Sequence, residues 1–343
     1  YRRFSSKNQN HQGGNRRKAT QMTSLAKRIL ITGAVGQIGT DLIPVLRSRY
    51  GAENVIAVGR KTMPSDEFRK SGPFETVDAT DKEMLRSLIK KYDIDRIYHL
   101  VTILSGKGEI EPNLAWNVNV NSLKNILDLA VEFKIGQVFW PSSIAVFGPS
   151  TPKNKTPQQT VLEPTTMYGV TKVAGENLCH YYFVKHGLDV RSLRYPGLIS
   201  HKAFSGGGTS DYSVEIFIGA LQTGHYTCFV TAETIMPLMY MDDAVKATMQ
   251  LMEADSTSIS VRTSYNLTAL SFTAGELAMA ITKRIEGFTC DFQPDFRQEI
   301  ANSWPDSVDD TVARRDWGWS PDYDLPTLTE IMLREMRPSL ITK

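Results

Sequence analysis

Apolar residues along the first 200 positions alternate between two patterns, short continuous runs and a spacing of three or four residues. Short runs are typical of buried strands, and the wider spacing is typical of helices with one buried face. The pattern predicts strands at 29–32, 54–58, 75–77, 96–102, 137–142 and 189–195, and helices at 39–50, 81–92, 112–133 and 167–185. This alternation indicates βαβ units, so the sequence predicts an α/β fold with a Rossmann-type, doubly wound parallel sheet.

Beyond residue 200 the alternation weakens, and the segments 148–164 and 200–210 have the Pro-rich or Gly-rich composition of surface loops. One more strand and helix are predicted at 239–252. We therefore expect a larger domain at 28–199, to which 236–262 returns. A smaller C-terminal lobe for the substrate would be assembled from 200–235 and 263–335.

Basic residues are concentrated at the start of the chain, where residues 1–28 contain eight Lys or Arg and no acid. The Arg-rich composition of 1–27 is typical of a transit peptide, which predicts a location in the mitochondrial matrix. The alternative is a disordered tail on a cytoplasmic protein. The rest of the chain has 31 basic and 37 acidic residues and no basic stripe with interleaved aromatic residues. We therefore expect no nucleic-acid partner.

Membrane and metal-binding proteins are two further classes that the composition disfavours. No apolar run reaches the roughly 18 residues that a membrane-spanning helix needs, so no membrane partner is expected. The cysteines Cys179, Cys228 and Cys290 are far apart and match no metal-binding spacing. We expect reduced thiols and no metal site.

Three glycines spaced three residues apart, Gly33, Gly36 and Gly39, lie between the first predicted strand and the first predicted helix. Glycine permits a tight turn and a close approach of phosphate, while a helix N-terminus offers free N–H donors and the positive end of its dipole. The arrangement therefore predicts a dinucleotide site, although glycines at this spacing also occur in ordinary turns.

Tyr168 and Lys172 are four residues apart on a predicted helix and therefore share one face. An ammonium group nearby favours the phenolate, so we expect Lys172 to lower the pKa of Tyr168 and make it a usable base. Ser143 follows a predicted strand, at the sheet edge where ligands bind in such folds. Together the glycine loop and these residues predict hydride transfer to or from a hydroxyl-bearing carbon.

These motifs resemble those of the extended short-chain dehydrogenases/reductases, over about residues 28–330. The resemblance covers TGAVGQIG at 32–39, NVNS at 119–122, the Ser143, Tyr168 and Lys172 set, and YPGLI at 195–199. It implies that these three residues are catalytic, with Lys172 also holding the ribose. It implies NAD as cofactor, bound by Gly33, Gly36, Gln37, Ile38, Gly39, Arg60, Asp78, Ala79, Leu100, Asn119, Tyr168, Lys172, Tyr195 and Pro196.

Three further runs, TILSGKGE at 102–109, GGGTSDY at 206–212 and SWPDSVDD at 303–310, resemble the epimerase-like threonine dehydrogenases within that family. The resemblance implies oxidation of L-threonine at its β-hydroxyl to 2-amino-3-oxobutanoate. It also implies a homodimer formed through the helices at 112–133 and 167–185. The implied substrate contacts are Ser105, Ser143, Tyr168, Thr209 and Trp304.

Several alternatives stay open at the level of sequence. Arg60, at the end of the second predicted strand, suits the 2′-phosphate of NADP, or it could stack on the adenine of NAD. Arg314 and Arg315 would suit the phosphates of an NDP-sugar epimerase or dehydratase. A non-catalytic NAD-binding subunit is a further alternative. Ser143 stands where this group commonly has Thr, which keeps the hydroxyl and removes a methyl contact.

Overall fold

The computed structural model describes residues 28–202 and 206–341, so the predicted leader at 1–27 lies outside the described residues. The strands are β1 (Ile29–Thr32), β2 (Val55–Gly59), β3 (Phe74–Thr76), β4 (Arg96–His99), β5 (Gln137–Ser143), β6 (Val190–Tyr195), β7 (Gly197–Ile199), β8 (His225–Cys228), β9 (Ile235–Tyr240), β10 (Tyr265–Asn266), β11 (Leu270–Thr273) and β12 (Thr289–Phe292). The helices are α1 (Gln37–Tyr50), α2 (Asp66–Lys70), α3 (Lys82–Tyr92), α4 (Ser105–Ile110), α5 (Pro112–Trp116), α6 (Ser122–Glu132), α7 (Met167–His186), α8 (Tyr212–Gln222), α9 (Met241–Glu253), α10 (Ala274–Thr282), α11 (Arg297–Asn302), α12 (Thr311–Trp317) and α13 (Leu325–Ile341).

Seven parallel strands form the main sheet, in the order β10-β6-β5-β4-β1-β2-β3. Every residue of β1, β2 and β6 is buried, as expected for parallel strands with helices on both faces. On one face α1 and α9 pack through Leu42, Leu46 and Leu251. On the other face α3 and α6 pack through Leu88 and Leu127. The predicted Rossmann-type α/β fold is confirmed.

A second set of strands and helices, most of them after residue 206, encloses an apolar core of its own. β9 lies between β7 and β11, and β8 pairs with β12. Phe217 of α8, Leu238 of β9, Leu277 of α10 and Met332 of α13 are all buried in this core. These elements form the smaller lobe that sequence periodicity left poorly defined.

The structure corrects the predicted domain boundaries at two places. β9 belongs to the small sheet, although α9, which follows it, packs on α1 as the predicted return to the large domain requires. β10 lies inside the predicted lobe segment 263–335 but is the edge strand of the main sheet. Trp317 and Trp319 also pack with Tyr265 in the core of the large domain. The division into two domains otherwise stays a prediction.

The predicted helix at 112–133 is divided by a turn of π-helix at Asn117–Asn121. Asn119 lies inside this turn and is buried. π-Turns add one residue to a helical turn, and they occur frequently at functional sites. Hydrophobic spacing cannot distinguish such a turn from regular helix, so the pattern predicts one continuous helix there.

Candidate active site

The glycine loop fits a pyrophosphate because its backbone has no room for side chains. Gly33 has φ +76°, and a Cβ added there would lie 3.0 Å from the backbone of Leu100. A Cβ on Gly39 would lie 2.6 Å from the carbonyl oxygens of Gly33 and Ala34. Gly36 is exposed and precedes α1 without a side-chain cap, which leaves the first N–H groups of the helix available.

Two oppositely charged residues follow β2 and β3 on the adenine side of the predicted cofactor site. Nε of Arg60 lies 3.2 Å from Oδ2 of Asp78, and Oδ1 of Asp78 accepts hydrogen bonds from Thr80. Burial raises the pKa of Asp78, but these hydrogen bonds and the charge of Arg60 outweigh it and leave the pKa below its ordinary value. The carboxylate therefore pairs with one edge of the half-exposed guanidinium, and Ala79 beside it is buried.

Ser143, Tyr168 and Lys172 are brought together where β5 ends and α7 begins. Thr166 caps α7, its Oγ1 accepting from the N–H of Gly169 at 3.1 Å. Nζ of Lys172 lies 5.4 Å from the centre of the Tyr168 ring. Both side chains are buried, with 8% of Tyr168 and 1% of Lys172 exposed. The predicted shared helix face is therefore directed into the protein rather than toward solvent.

The electrostatics of this group differ from the sequence-based expectation. Burial raises the pKa of Tyr168 to about 12, and the hydrogen bond with Ser143 opposes that shift. Lys172 donates to the carbonyl oxygen of Pro141 at 2.6 Å, and burial lowers its own pKa to about 7. The prediction that Lys172 lowers the pKa of Tyr168 is wrong for the chain alone, because burial dominates and the ammonium bonds elsewhere.

The hydroxyl of Ser143 is arranged to donate to the phenol oxygen. Its Oγ accepts from the N–H of Ala145 at 3.1 Å, which leaves its own proton for Tyr168. A donor to the phenol oxygen stabilises the phenolate more than the neutral phenol. Ser143 therefore opposes part of the effect of burial on the pKa of Tyr168.

Residues predicted to contact the substrate come from distant parts of the chain. Oγ of Ser105 lies 3.1 Å from Oγ1 of Thr209, and the N–H of Gly106 bonds to the carbonyl of Gly207. The helix that carries Ser105 packs on Tyr168, because a Cβ added at Gly108 would lie 3.8 Å from the Tyr168 Cβ.

Trp304 belongs to the apolar cluster that surrounds Tyr168. The cluster also contains Ile144, Phe147 and Val308, and 6% of Trp304 is exposed. The structure thus brings Trp304 to the tyrosine from a segment more than a hundred residues away in the sequence. Tyr168 and Trp304 therefore belong to one apolar cluster.

Two residues predicted to contact the cofactor have side chains that are bonded within the protein. The amide of Asn119 already bonds to the N–H and C=O of Ile103 and to the hydroxyls of Thr102 and Thr171, which uses its full hydrogen-bonding capacity. The hydroxyl of Tyr195 bonds to Thr248 in the core. These side chains therefore support the site, and Tyr195 can reach a cofactor only through its backbone, next to Pro196.

His99 is a buried residue of this region that the sequence did not indicate. Its Nδ1 lies 2.7 Å from Oγ1 of Thr32, and its Nε2 lies 2.8 Å from Oγ of Ser122. Burial and, to a smaller extent, the charge of Lys172 lower its pKa to about 3, so the ring is neutral. A single histidine in an apolar strand carries no motif, and its partners come from two other elements.

The described residues offer little to the alternative of a sugar-nucleotide enzyme. Arg314 pairs with Asp310 at 2.7 Å, and Arg315 pairs with Asp316 at 2.7 Å. Both guanidinium groups thus have carboxylate partners.

Within 28–202 and 206–341, no group of three His, Cys, Asp or Glu side chains could hold a metal ion, and no helix is long and apolar enough to cross a membrane.

Comparison with known proteins gives consistent matches over most of the chain. Residues 29–267 match the NAD dependent epimerase/dehydratase family. A protein of Staphylococcus haemolyticus named as an uncharacterized epimerase/dehydratase is 47% identical over 309 residues, which cover 90% of this chain and 97% of that protein. The holo form of GalE-like L-threonine dehydrogenase from Cupriavidus necator is 48% identical with a TM-score of 0.87, over 90% of this chain and 99% of the other. A monomeric L-threonine 3-dehydrogenase from a metagenome database is 45% identical with a TM-score of 0.88, over 91% and 99%.

These matches confirm the resemblance to the extended short-chain dehydrogenases/reductases and the predicted cofactor, NAD. The predicted location in the mitochondrial matrix is wrong, because the similar proteins from Staphylococcus and Cupriavidus come from bacteria, which have no mitochondria. The homodimer stays a prediction, since one similar dehydrogenase is monomeric. The roles of the individual site residues also stay predictions.

Proposed function

This chain belongs to the NAD-dependent epimerase/dehydratase family of enzymes, and on that premise we propose that it oxidises the β-hydroxyl of L-threonine to give 2-amino-3-oxobutanoate. The observation that carries the proposal is the convergence of the Ser105–Thr209 hydroxyl pair and Trp304 on Tyr168. Hydroxyl groups close to the proposed base suit a small polar amino acid. The dehydrogenases at 45–48% identity support the same substrate.

The residues present divide the reaction into a proton transfer and a hydride transfer. The bound cofactor would supply the acceptor for the hydride from the β-carbon and a positive charge that favours ionisation nearby. Tyr168 takes the proton of the substrate hydroxyl as the carbonyl bond forms. Ser143 would donate its single hydroxyl proton to the phenol oxygen, which favours the ionised form of Tyr168. Lys172, one helical turn after Tyr168, would hold the ribose, and the glycine loop would hold the pyrophosphate.

The proposal is tested by following the absorbance of reduced nicotinamide with purified protein. L-Threonine with NAD⁺ is expected to give steady turnover. NADP⁺ is expected to give much less, because the Asp78 carboxylate competes with a 2′-phosphate for Arg60. L-2-Aminobutyrate, which lacks the hydroxyl, is the control and should give none. Turnover of a UDP-sugar without turnover of threonine would exclude the proposal, and tight NAD binding without any turnover would favour the non-catalytic alternative.

Replacing Ser143 by Ala should change the pH dependence of turnover. The base must be ionised, and a raised pKa means that activity rises with pH through the alkaline range. Without the Ser143 hydrogen bond the pKa of Tyr168 rises further, so the rise in activity should move to higher pH. Ser143→Thr keeps the hydroxyl and is the matched control, with the wild-type profile expected. An unmoved profile in Ser143→Ala would contradict the role given to Ser143.

The predicted homodimer is proposed to form through α5 and α7. Large apolar side chains are exposed on these helices, among them Trp116, Val170, Tyr181 and Val184, with 40–69% of each accessible. Tyr181 and Val184 are three residues apart and share a helix face, as in a helical bundle. A light-scattering mass of one chain for the wild type would exclude this dimer.

A further inference from the structure

A row of buried polar side chains crosses three neighbouring strands of the main sheet behind the candidate catalytic residues. Ser142 on β5 and Asn266 on β10 are both register partners of Arg194 on β6. Residues in register on adjacent strands project to the same face of a sheet. Glu176 of α7 completes the group, and none of these four side chains is more than 3% exposed. We call these four residues the buried polar row.

Every member of the buried polar row is bonded to its neighbour. Nε and Nη2 of Arg194 donate to the two carboxylate oxygens of Glu176 at 2.8 and 2.7 Å, a two-bond fork. Oγ of Ser142 donates to Oε1 of Glu176 at 2.7 Å. Nη1 of Arg194 donates to Oδ1 of Asn266 and to the carbonyl of Gln158, both at 3.0 Å. The row is therefore a continuous hydrogen-bonded chain.

One end of the row fixes α7 against β5. Glu176 lies one helical turn after Lys172, which itself donates to the carbonyl of Pro141. Two successive turns of α7 therefore bond to two successive residues of β5, Pro141 and Ser142. The next residue of that strand is Ser143. The distance between Ser143 and Tyr168 depends on this alignment.

The other end of the row reaches the segment that covers Tyr168. Nδ2 of Asn266 donates to the carbonyls of Thr156 and Asp309 at 3.0 and 3.2 Å. The N–H of Thr156 bonds to Ser307, and the N–H of Asp309 bonds back to Thr156. This segment, 303–310, carries Trp304. The row thus connects the helix that carries the base with the segment packed over it.

We infer that Arg194 and Glu176 are positioning residues, which hold Ser143, Tyr168 and the Trp304 segment in register for hydride transfer. The inference rests on the proposed function and extends it to residues outside the site. A buried ion pair contributes little net stability, because desolvation offsets most of the attraction between its charges. Accurate geometry, in contrast, is worth a large factor in rate, since a misplacement of about 1 Å costs about a hundredfold.

The test is a double variant, Glu176→Met with Arg194→Met, in the full chain. Apolar residues of similar volume leave no unpaired charge, so we expect the variant to fold, with a modest loss of thermal stability because Asn266 Oδ1 and the Gln158 carbonyl lose a donor. We expect kcat for threonine to fall by about 10- to 100-fold while NADH affinity is retained. The deuterium isotope effect with threonine labelled at its β-carbon should increase, because hydride transfer becomes slower relative to other steps.

Two further variants make the result specific. Ser142→Ala removes one hydrogen bond to Glu176 and leaves its pair with Arg194 intact, so it should fold and show a smaller change of the same kind. Arg191→Met is the matched control. Arg191 is a buried arginine of the same strand, and its partner Asp189 keeps Arg262 at 2.6 Å. The kcat and the isotope effect of Arg191→Met should equal those of the wild type.

The outcomes separate this inference from the proposed function. If the wild type oxidises threonine and the double variant keeps its kcat and isotope effect, the ion pair only stabilises the fold and the inference is overturned. If the wild type does not oxidise threonine, the proposed function fails. Amide hydrogen exchange then tests whether the buried polar row is coupled to the segment 303–310. Faster amide exchange in 303–310 of the double variant supports it, and unchanged exchange overturns it.

Discussion

Replacing Tyr168 by Phe is expected to lower kcat for threonine oxidation by about a thousandfold, the effect of losing a general base. The phenol oxygen is the atom proposed to receive the substrate proton, and the hydrogen bond with Ser143 opposes the rise of its pKa. The ring itself packs among Ile144, Phe147 and Trp304, and Phe preserves that packing. NADH affinity, measured by fluorescence titration, should therefore change little while turnover is almost lost.

The matched control for this variant is Tyr212→Phe. Tyr212 is buried in the core of the smaller lobe, and its hydroxyl has no hydrogen-bond partner among the described residues. Removing an unpaired buried hydroxyl is neutral or stabilising, so activity and stability should both be retained. Wild-type turnover in Tyr168→Phe would mean that another group is the base.

Replacing Lys172 by Met is expected to lower kcat by about a hundredfold and to weaken NAD binding as well. The loss on two measures distinguishes it from Tyr168→Phe, because Lys172 is proposed to hold the ribose and its bond to Pro141 aligns α7 with the strand that carries Ser143. Steady-state kinetics with varied NAD⁺, together with a titration of NADH, separate the two effects. A change in kcat without a change in NADH affinity would exclude the contact with the ribose.

The fold should survive this substitution, although the hydrogen bond to Pro141 is lost. Burial lowers the pKa of Lys172 to about 7, so between that pH and its ordinary value near 10.5 the unfolded chain binds more protons than the folded chain. Stability from this group therefore rises with pH across that window, and Met removes the dependence. Lys246→Met is the control, because Lys246 pairs with Asp322 near the surface and should not affect turnover.

The strands of the main sheet and the glycine loop could be predicted from the sequence, because each has a pattern formed by residues close together in the chain. Buried parallel strands are short apolar runs, and the bounds of β1 agree with the prediction. The need for glycine at position 39 follows from local backbone geometry, as does the shared helix face of Tyr168 and Lys172. For each of these features the residues that interact lie within a few positions of one another.

The tertiary structure decided the features whose partners are distant in the sequence. Burial reversed the expected pKa shift of Tyr168, since desolvation depends on surroundings that no local pattern records. The strand β10 has only two residues, which is too short to show periodicity in the sequence. Its place in the main sheet is evident only from its pairing with β6. Arg194 reads as an ordinary strand residue, yet it joins Glu176, Gln158 and Asn266. Sequence alone therefore determined which chemistry is present, and folding determined its electrostatics and alignment, because burial and long-range hydrogen bonds arise only when distant segments pack together.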